Sequence, residues 1–270
     1  MTMYEESLLL LAKKQQELNP QNYNIVYMGD SWVGEKSYTS NEIFNSAMEE
    51  ALKHNPLLVV HGGDLVYNGE QSNFDFFINF KNEIAPDLPF FVAVGNHDMD
   101  KQLTGDAAVA NFKEQIGPLH FTLNIPRFNF TLISLDALNN HEYSNYGLNE
   151  SELQYLSDNL LHRYQNTLVA MHVPPRTNRW VPEPGDDTYF TLGSNNFFEE
   201  VEDQILAALV SHIHAFKTTK YKHTSLFLSG GGGAALLKKE IFHILVINIQ
   251  TKSHGKSSKV SFSVVPIGRV

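Results

Sequence analysis

No cysteine occurs among the 270 residues. Disulfide staples, zinc–thiolate sites and cysteine nucleophiles are therefore excluded, and any metal must be held by oxygen and nitrogen donors. Positive charge is also scarce. Lys and Arg total 20 against 30 Asp and Glu, a formal charge of −10. No long Lys/Arg cluster relieves it, so a scaffold that grips nucleic acid through its phosphates is not expected. No apolar run is long enough to span a bilayer. The run inside MTMYEESLLLLAKKQQELNP lacks a basic leader and meets lysines at once. It reads as an amphipathic helix over residues 1–20, stopped near Asn19-Pro20, and not as a signal peptide. With neither leader nor span in the chain, the cytoplasm is favoured over an exported form. Internal repeats, linkers and heptads are missing too. At 42% hydrophobic the chain is ordinary globular material, read as one domain over 1–270 with the N-terminal helix packed on it.

What is present alternates. Strand YNIVYMG (23–29) leads to Asp30, then a helix over roughly 41–53 with Thr39 and Glu42 spaced as a capping box. PLLVVHGG (56–63) ends at Asp64, and a helix follows over roughly 72–84. PFFVAVG (89–95) ends at Asn96-His97-Asp98. Three such units in a row predict an α/β fold, in which polar groups gather at the C-terminal ends of the strands. Beyond them come a helix near 105–116, paired strands LHFTLNI and FNFTLISLD, and a helix capped by Asn149 and Glu152. NTLVAM then delivers His172, and a Pro/Gly/Asp-rich loop over 173–196 follows. A helix near 196–206 and strand LAALVS lead to His212 and His214, and three more strand-like runs complete the chain.

Asp30, Asp64, Asn96, His97, His172, His212 and His214 thus all stand at strand ends. Carboxylates, imidazoles and an amide carbonyl are donors for hard or borderline cations. A buried carboxylate needs a partner, and a pair of cations would partner all of these. The His212/His214 pair alone also fits a proton relay, or two ordinary residues on a wet edge.

Flanking residues narrow this. GD (29–30), GDLVY (63–67), GNHD (95–98), VAMH (169–172) and SHIH (211–214) come in that order. With them the sequence resembles the calcineurin-like metallophosphoesterase superfamily over about residues 23–237. Its purple acid phosphatase branch, with GDxG, GDxxY, GNH[DE], VxxH and GHxH, is the most similar. The resemblance implies a four-layer αββα sandwich of mixed α/β class, two mixed sheets face to face with helices outside. It implies two metal ions (Fe, Mn or Zn). Asp64 would bridge them; Asp30, Tyr67 and His214 would complete the first, and Asn96, His172 and His212 the second. His97 would face the phosphate as a donor to developing charge or as the leaving group's acid, with Asp98 holding its other nitrogen. Two cations clamp phosphoryl oxygens and bring the pKa of bound water from about 16 toward 7, so a hydroxide attacks at working pH. The implied activity is hydrolysis of a small phosphorylated substrate, most readily a monoester. A diesterase shares every ligand, and a binding protein that kept the fold is a third possibility.

Two positions depart from the pattern. Trp32 stands where the superfamily usually has a histidine ligand and the purple branch a glycine. Indole cannot ligate, so Trp32 either lines the pocket or crowds the first metal. Tyr67 is at the spacing of the purple branch's tyrosine, as a ligand or as a packing residue. Ser211 replaces the last motif's glycine, a mild change unless the position needs positive φ. SGGGG (229–233) lacks the P-loop lysine and reads as backbone passing close to the metals. His61 reads as sheet packing; His54, His120, His141, His162, His223, His243 and His254 match no motif. Arg176 and Arg179 read as solvated loop residues.

Overall fold

Tyr23, Ile25 and Tyr27 are buried on one face of the first strand, and Val26 and Met28 on the other. A strand buried on both faces must be covered on both. In the computed structural model, which describes residues 1–34, 38–176, 189–251 and 258–268, the covers are a second sheet and a layer of helices.

The first sheet runs β11–β10–β1–β2–β3. Its strands are β1 (Asn22–Met28), β2 (Leu58–His61), β3 (Phe90–Val92), β10 (His243–Gln250) and β11 (Lys259–Pro266). β1, β2 and β3 are parallel; β10 is antiparallel to both β1 and β11. The second sheet runs β4–β5–β6–β7–β9–β8. Here β4 (Phe121–Ile125) and β8 (Phe216–Tyr221) are antiparallel edges. Between them β5 (Phe130–Ser134), β6 (Asn166–Ala170), β7 (Ala207–Val210) and β9 (Thr224–Ser229) are parallel. Tyr23, Ile25, Tyr27, Val60 and Ile247 of one sheet meet Leu123, Phe130, Leu132, Leu168 and Leu209 of the other in a shared core.

The outward faces take the helices. Phe44 and Met48 of α2 (Tyr38–Lys53) and Phe74 and Phe77 of α3 (Gln71–Ile84) pack with Val26, Met28 and Val59. Leu156 and Leu160 of α5 (Glu150–Leu161) and Phe197 of α6 (Ser194–Val201) belong with Ile133 and Val169. The result is a four-layer α/β sandwich. The N-terminal helix α1 (Met3–Glu17) starts at a Thr2 capping box and lies against edge strand β3, where Ser7 Oγ donates to the Phe90 carbonyl at 2.8 Å. An exposed strand edge is thereby satisfied.

Three local expectations change. The second helix begins at Tyr38, so Thr39 lies inside its first turn and does not cap it. The helix expected near 105–116 shrinks to α4 (Ala110–Gln115), preceded by one 3-10 turn at Gly105–Ala107. Strand β8, FKTTKY, carries lysine and threonine and shows no apolar alternation, which is why it goes unread in the sequence. Much of the 173–196 loop, with Arg179, and His254 lie outside the described residues.

Candidate metal centre

β1, β2, β3, β6, β7 and β9 all end at one edge of the sandwich, and the polar loops start there. Loop 30–33 is laced to loop 63–65. Asp30 N donates to Gly63 O (3.0 Å), Trp32 N to Asp64 O (3.1 Å) and Val33 N to Leu65 O (3.0 Å). The lacing requires left-handed backbone at Asp30 (φ 58°), Trp32 (φ 49°) and Asp64 (φ 55°). His212 is left-handed too, at φ 69°. Such conformations are uncommon outside glycine, least expected for a bulky residue such as Trp, and tend to persist at functional sites. Gly95 is needed for close approach: a Cβ there would stand 2.1 Å from Asp64 N.

These turns aim two groups of ligand atoms at shared centres. Atoms of Asp64, His172 and His212 lie within 4.8 Å of one another, and so do atoms of Asp30, Asp64 and His214. Asp64 belongs to both. In the first of these groups His172 Nδ1 donates to the Gly62 carbonyl at 2.8 Å, which leaves Nε2 with its lone pair toward the site. That Nε2 lies 3.1 Å from Asn96 Oδ1, 3.2 Å from Asp64 Oδ1 and 3.1 Å from His212 Nδ1. An amide oxygen, a carboxylate oxygen and a second imidazole thus converge on this one nitrogen. In the other group His214 Nδ1 donates to the Ala235 carbonyl at 2.7 Å, freeing Nε2, which stands 3.7 Å from Asp30 Oδ1. Asp30 is fully buried and neither carboxylate oxygen has a hydrogen-bond partner. Burial pushes its pKa up to about 6, against the pull of His214 and His172. A buried, unbonded carboxylate facing imidazole lone pairs is what a cation would stabilise, so the donor set fits two metal ions.

The structure brings Asp30, Asp64, Asn96, His172, His212 and His214 together. β7 ends at Val210, so the two histidines sit in a turn. A strand's shared facing does not apply, and they fall into different groups.

His97 stands beside the groups. Its amide donates to Asp64 Oδ1 at 2.8 Å, and its Nδ1 lies 2.8 Å from the Tyr67 carbonyl. In the tautomer that donates Nδ1–H there, Nε2 is the atom open to a ligand. Burial holds its pKa below the usual imidazole value. Asp98 differs from expectation. It does not hold His97: its Oδ1 accepts from the amides of Leu65 (2.8 Å) and Val66 (3.1 Å), and its Oδ2 from Gly95 N (2.9 Å). The 3-10 turn Asn96–Asp98 sends the two neighbouring side chains in different directions. Asp98 clamps the loops that carry Asp64 and Asn96.

Tyr67 lies toward the rim: the residue is 53% exposed, and its ring meets Trp32 edge-on at 5.5 Å and His97 at 6.0 Å. Trp32 makes the inner contacts instead. Its Nε1 donates to Asp64 Oδ2 at 3.2 Å, its ring lies against His97 at 4.3 Å, and it meets His214 edge-on at 4.9 Å. The indole thus packs beside two of the site's imidazoles and donates to the shared carboxylate.

Ser211 does not need positive φ; its hydroxyl bonds Tyr27 (2.8 Å) and the Ser229 carbonyl (3.1 Å). The glycine-rich run does pass close to the site, since a Cβ on Gly230 would lie 2.4 Å from Asp30 Oδ2. His61 is buried and bonds Ser31 Oγ at 3.0 Å. Two residues of the site went unread in the sequence. Lys101 Nζ is 3.1 Å from His97 Nδ1, and Tyr143 reaches to 6.4 Å from the His97 ring. The signals were there: a lysine four residues past His97, and a tyrosine in the insertion after Ala137.

A family model described as calcineurin-like phosphoesterase matches residues 23–216. No curated protein sequence matches the chain. Among solved structures, a dimetal phosphatase from Danio rerio is 13% identical, with 91% of this chain and 99% of that one covered and a TM-score of 0.61. A purple acid phosphatase from yellow lupin (Lupinus luteus) seeds is 15% identical, with 84% and 49% covered and a TM-score of 0.64. GAP50, the anchor in the inner membrane complex of Plasmodium, is 12% identical, with 92% and 89% covered and a TM-score of 0.59. Identities this low establish shared fold.

Proposed function

We propose, given that the chain belongs to the calcineurin-like phosphoesterase family and is a metal-dependent hydrolase, that it cleaves phosphate monoesters at a two-metal site. The observation that carries this is the sharing of Asp64 between two convergent acceptor groups, with a non-ligating histidine at their side. Asp30, Asp64 and His214 would hold one cation, and Asp64, Asn96, His172 and His212 the other. When bound, the pair offsets phosphoryl charge and acidifies water.

The chain's own groups supply the rest. Gly62 and Ala235 fix the tautomers of His172 and His214, so both present Nε2. Asn96 offers oxygen without adding charge beside an anion. His97, steadied at Nδ1 by the Tyr67 carbonyl, presents Nε2 to the phosphate. An arriving dianion favours its protonated form, and that proton passes to the departing alkoxide. Lys101, next to His97, favours a dianionic monoester over a monoanionic diester. With Tyr67 on the rim, Asp, Asn and His are the donors left, a set that suits divalent manganese, zinc or iron.

Turnover of an aryl phosphate against its bis-aryl ester tests the reading. The monoester is expected to be the better substrate by kcat/KM. A diester turned over as fast or faster would replace monoesterase by diesterase.

A further inference from the structure

Positive charge forms no run in this sequence, but it is unevenly spread. Residues 217–270 hold nine of the 20 Lys and Arg and one of the 30 Asp and Glu. A chain of −10 thus carries a segment of +8. Lys252, Lys256 and Arg269 lie outside the described residues. The fold gathers the others at one end of the sandwich. Edge strand β8 exposes Lys217 and Lys220, and edge strand β11 exposes Lys259. The two edges share that end, since Phe227 of β9 stacks on Phe262 of β11 at 4.2 Å. The turn at 237–241 adds Lys238 and Lys239, both exposed. Among the described residues these five lysines form no ion pair, whereas Lys222 is taken by Glu202. The one acid of the segment, Glu240, is turned inward, with Oε2 accepting from Phe216 N at 3.1 Å. Lysines on edge strands deter pairing with other strands, which accounts for Lys217, Lys220 and Lys259. It does not account for the turn, which belongs to no strand. Glu240 N closes it on the Leu237 carbonyl at 3.1 Å, with Lys238 and Lys239 at its tip. Lys239 is left-handed, at φ 74°, where glycine would sit without strain. Leu237 and Ile241 flank the tip and are 52% and 51% exposed.

We infer that this face docks the protein on an anionic lipid bilayer, with Leu237 and Ile241 entering the interface and the five lysines held over the headgroups. Reversible attachment to a bilayer takes two signals, apolar side chains and a basic patch, and the turn with its neighbouring edges supplies both. The composition favours a bilayer over a protein. Lysine is depleted in protein interfaces while arginine is enriched, and every described cation here is lysine. The two apolar side chains protrude from a turn and line no groove, and a fluid interface asks for no shape match. The turn starts beside the metal centre. Leu237 N donates to the His214 carbonyl at 3.0 Å, two residues past the Ala235 carbonyl that accepts from His214 Nδ1. A docked protein therefore holds that edge of the sandwich next to the lipid. The attachment itself does not depend on the phosphoesterase reading.

Flotation of the full chain with vesicles tests this. Phosphatidylcholine vesicles with about 30% phosphatidylserine should carry the protein at low salt, and pure phosphatidylcholine should bind it at least about tenfold more weakly. Salt at about 0.5 M should release it. Lys238→Gln/Lys239→Gln and Leu237→Ser/Ile241→Ser should each weaken binding about tenfold or more. Melting should not change, because all four side chains are exposed. Lys13→Gln/Lys53→Gln removes the same charge from exposed positions on α1 and α2, and should bind like the parent. Equal binding to neutral vesicles, no binding to anionic ones, or binding that survives either turn variant would overturn the inference. So would a loss in Lys13→Gln/Lys53→Gln as large as in the turn variants, since net charge would then be the cause. Binding to duplex DNA or polyglutamate with none to anionic vesicles would also overturn it, and would give the face to a soluble polyanion.

Discussion

His97 and Asp98 are adjacent, yet they do opposite work. Asp98 accepts three backbone amides and is fully buried. Asp98→Ala strands those donors, at a cost of about 3 kcal/mol or more. The expected outcome is a clear drop in melting temperature. His97→Ala removes a side chain whose neighbours are Trp32, Tyr67 and Lys101, so melting should change little while turnover falls by about 10²–10⁴. Thermal melts and kinetics on the two variants check this. A stable Asp98→Ala with the kinetic defect of His97→Ala would restore Asp98 to the chemistry. The sequence showed the GNHD motif but not which way each side chain leaves the turn. Trp32 was legible as an anomaly, and only the Nε1 contact to Asp64 explains it.

Strands β1, β2, β3, β6 and β7, and the ligands at their ends, were legible because each is a short apolar run stopped by a polar residue. Edge strand β8 was not, because its lysines and threonines follow water and pairing, not a core. Side-chain ties between elements were also hidden. His120 Nδ1 meets Glu152 Oε1 at 2.6 Å, joining the start of β4 to α5, and Glu152 Oε2 accepts from Asp136 N at 3.2 Å just past β5. The bond to Glu152 raises the His120 pKa, partly offset by burial. A raised folded-state value means that this stabilisation is complete below the unfolded pKa of about 6.5 and fades as pH rises through the folded one. A histidine titration by NMR should therefore place His120 above about 6.5, and Glu152→Gln should bring it down. An unchanged midpoint in the variant would show that the contact carries no charge.

At the scale of the whole molecule, a chain of net charge −10 is proposed to bind an anion. Among the described residues no helix is long and apolar enough to cross a membrane. Lys101 at the mouth is one cation against that excess, and two metal ions held by the acceptor groups would make the site attractive to phosphate. Metal content per chain, measured after loading and dialysis, tests this most directly. The account predicts two ions per chain in the parent protein, near zero in Asp64→Ala, and two again in Tyr67→Phe. A parent protein that holds none, or an Asp64→Ala variant that keeps both, would contradict it.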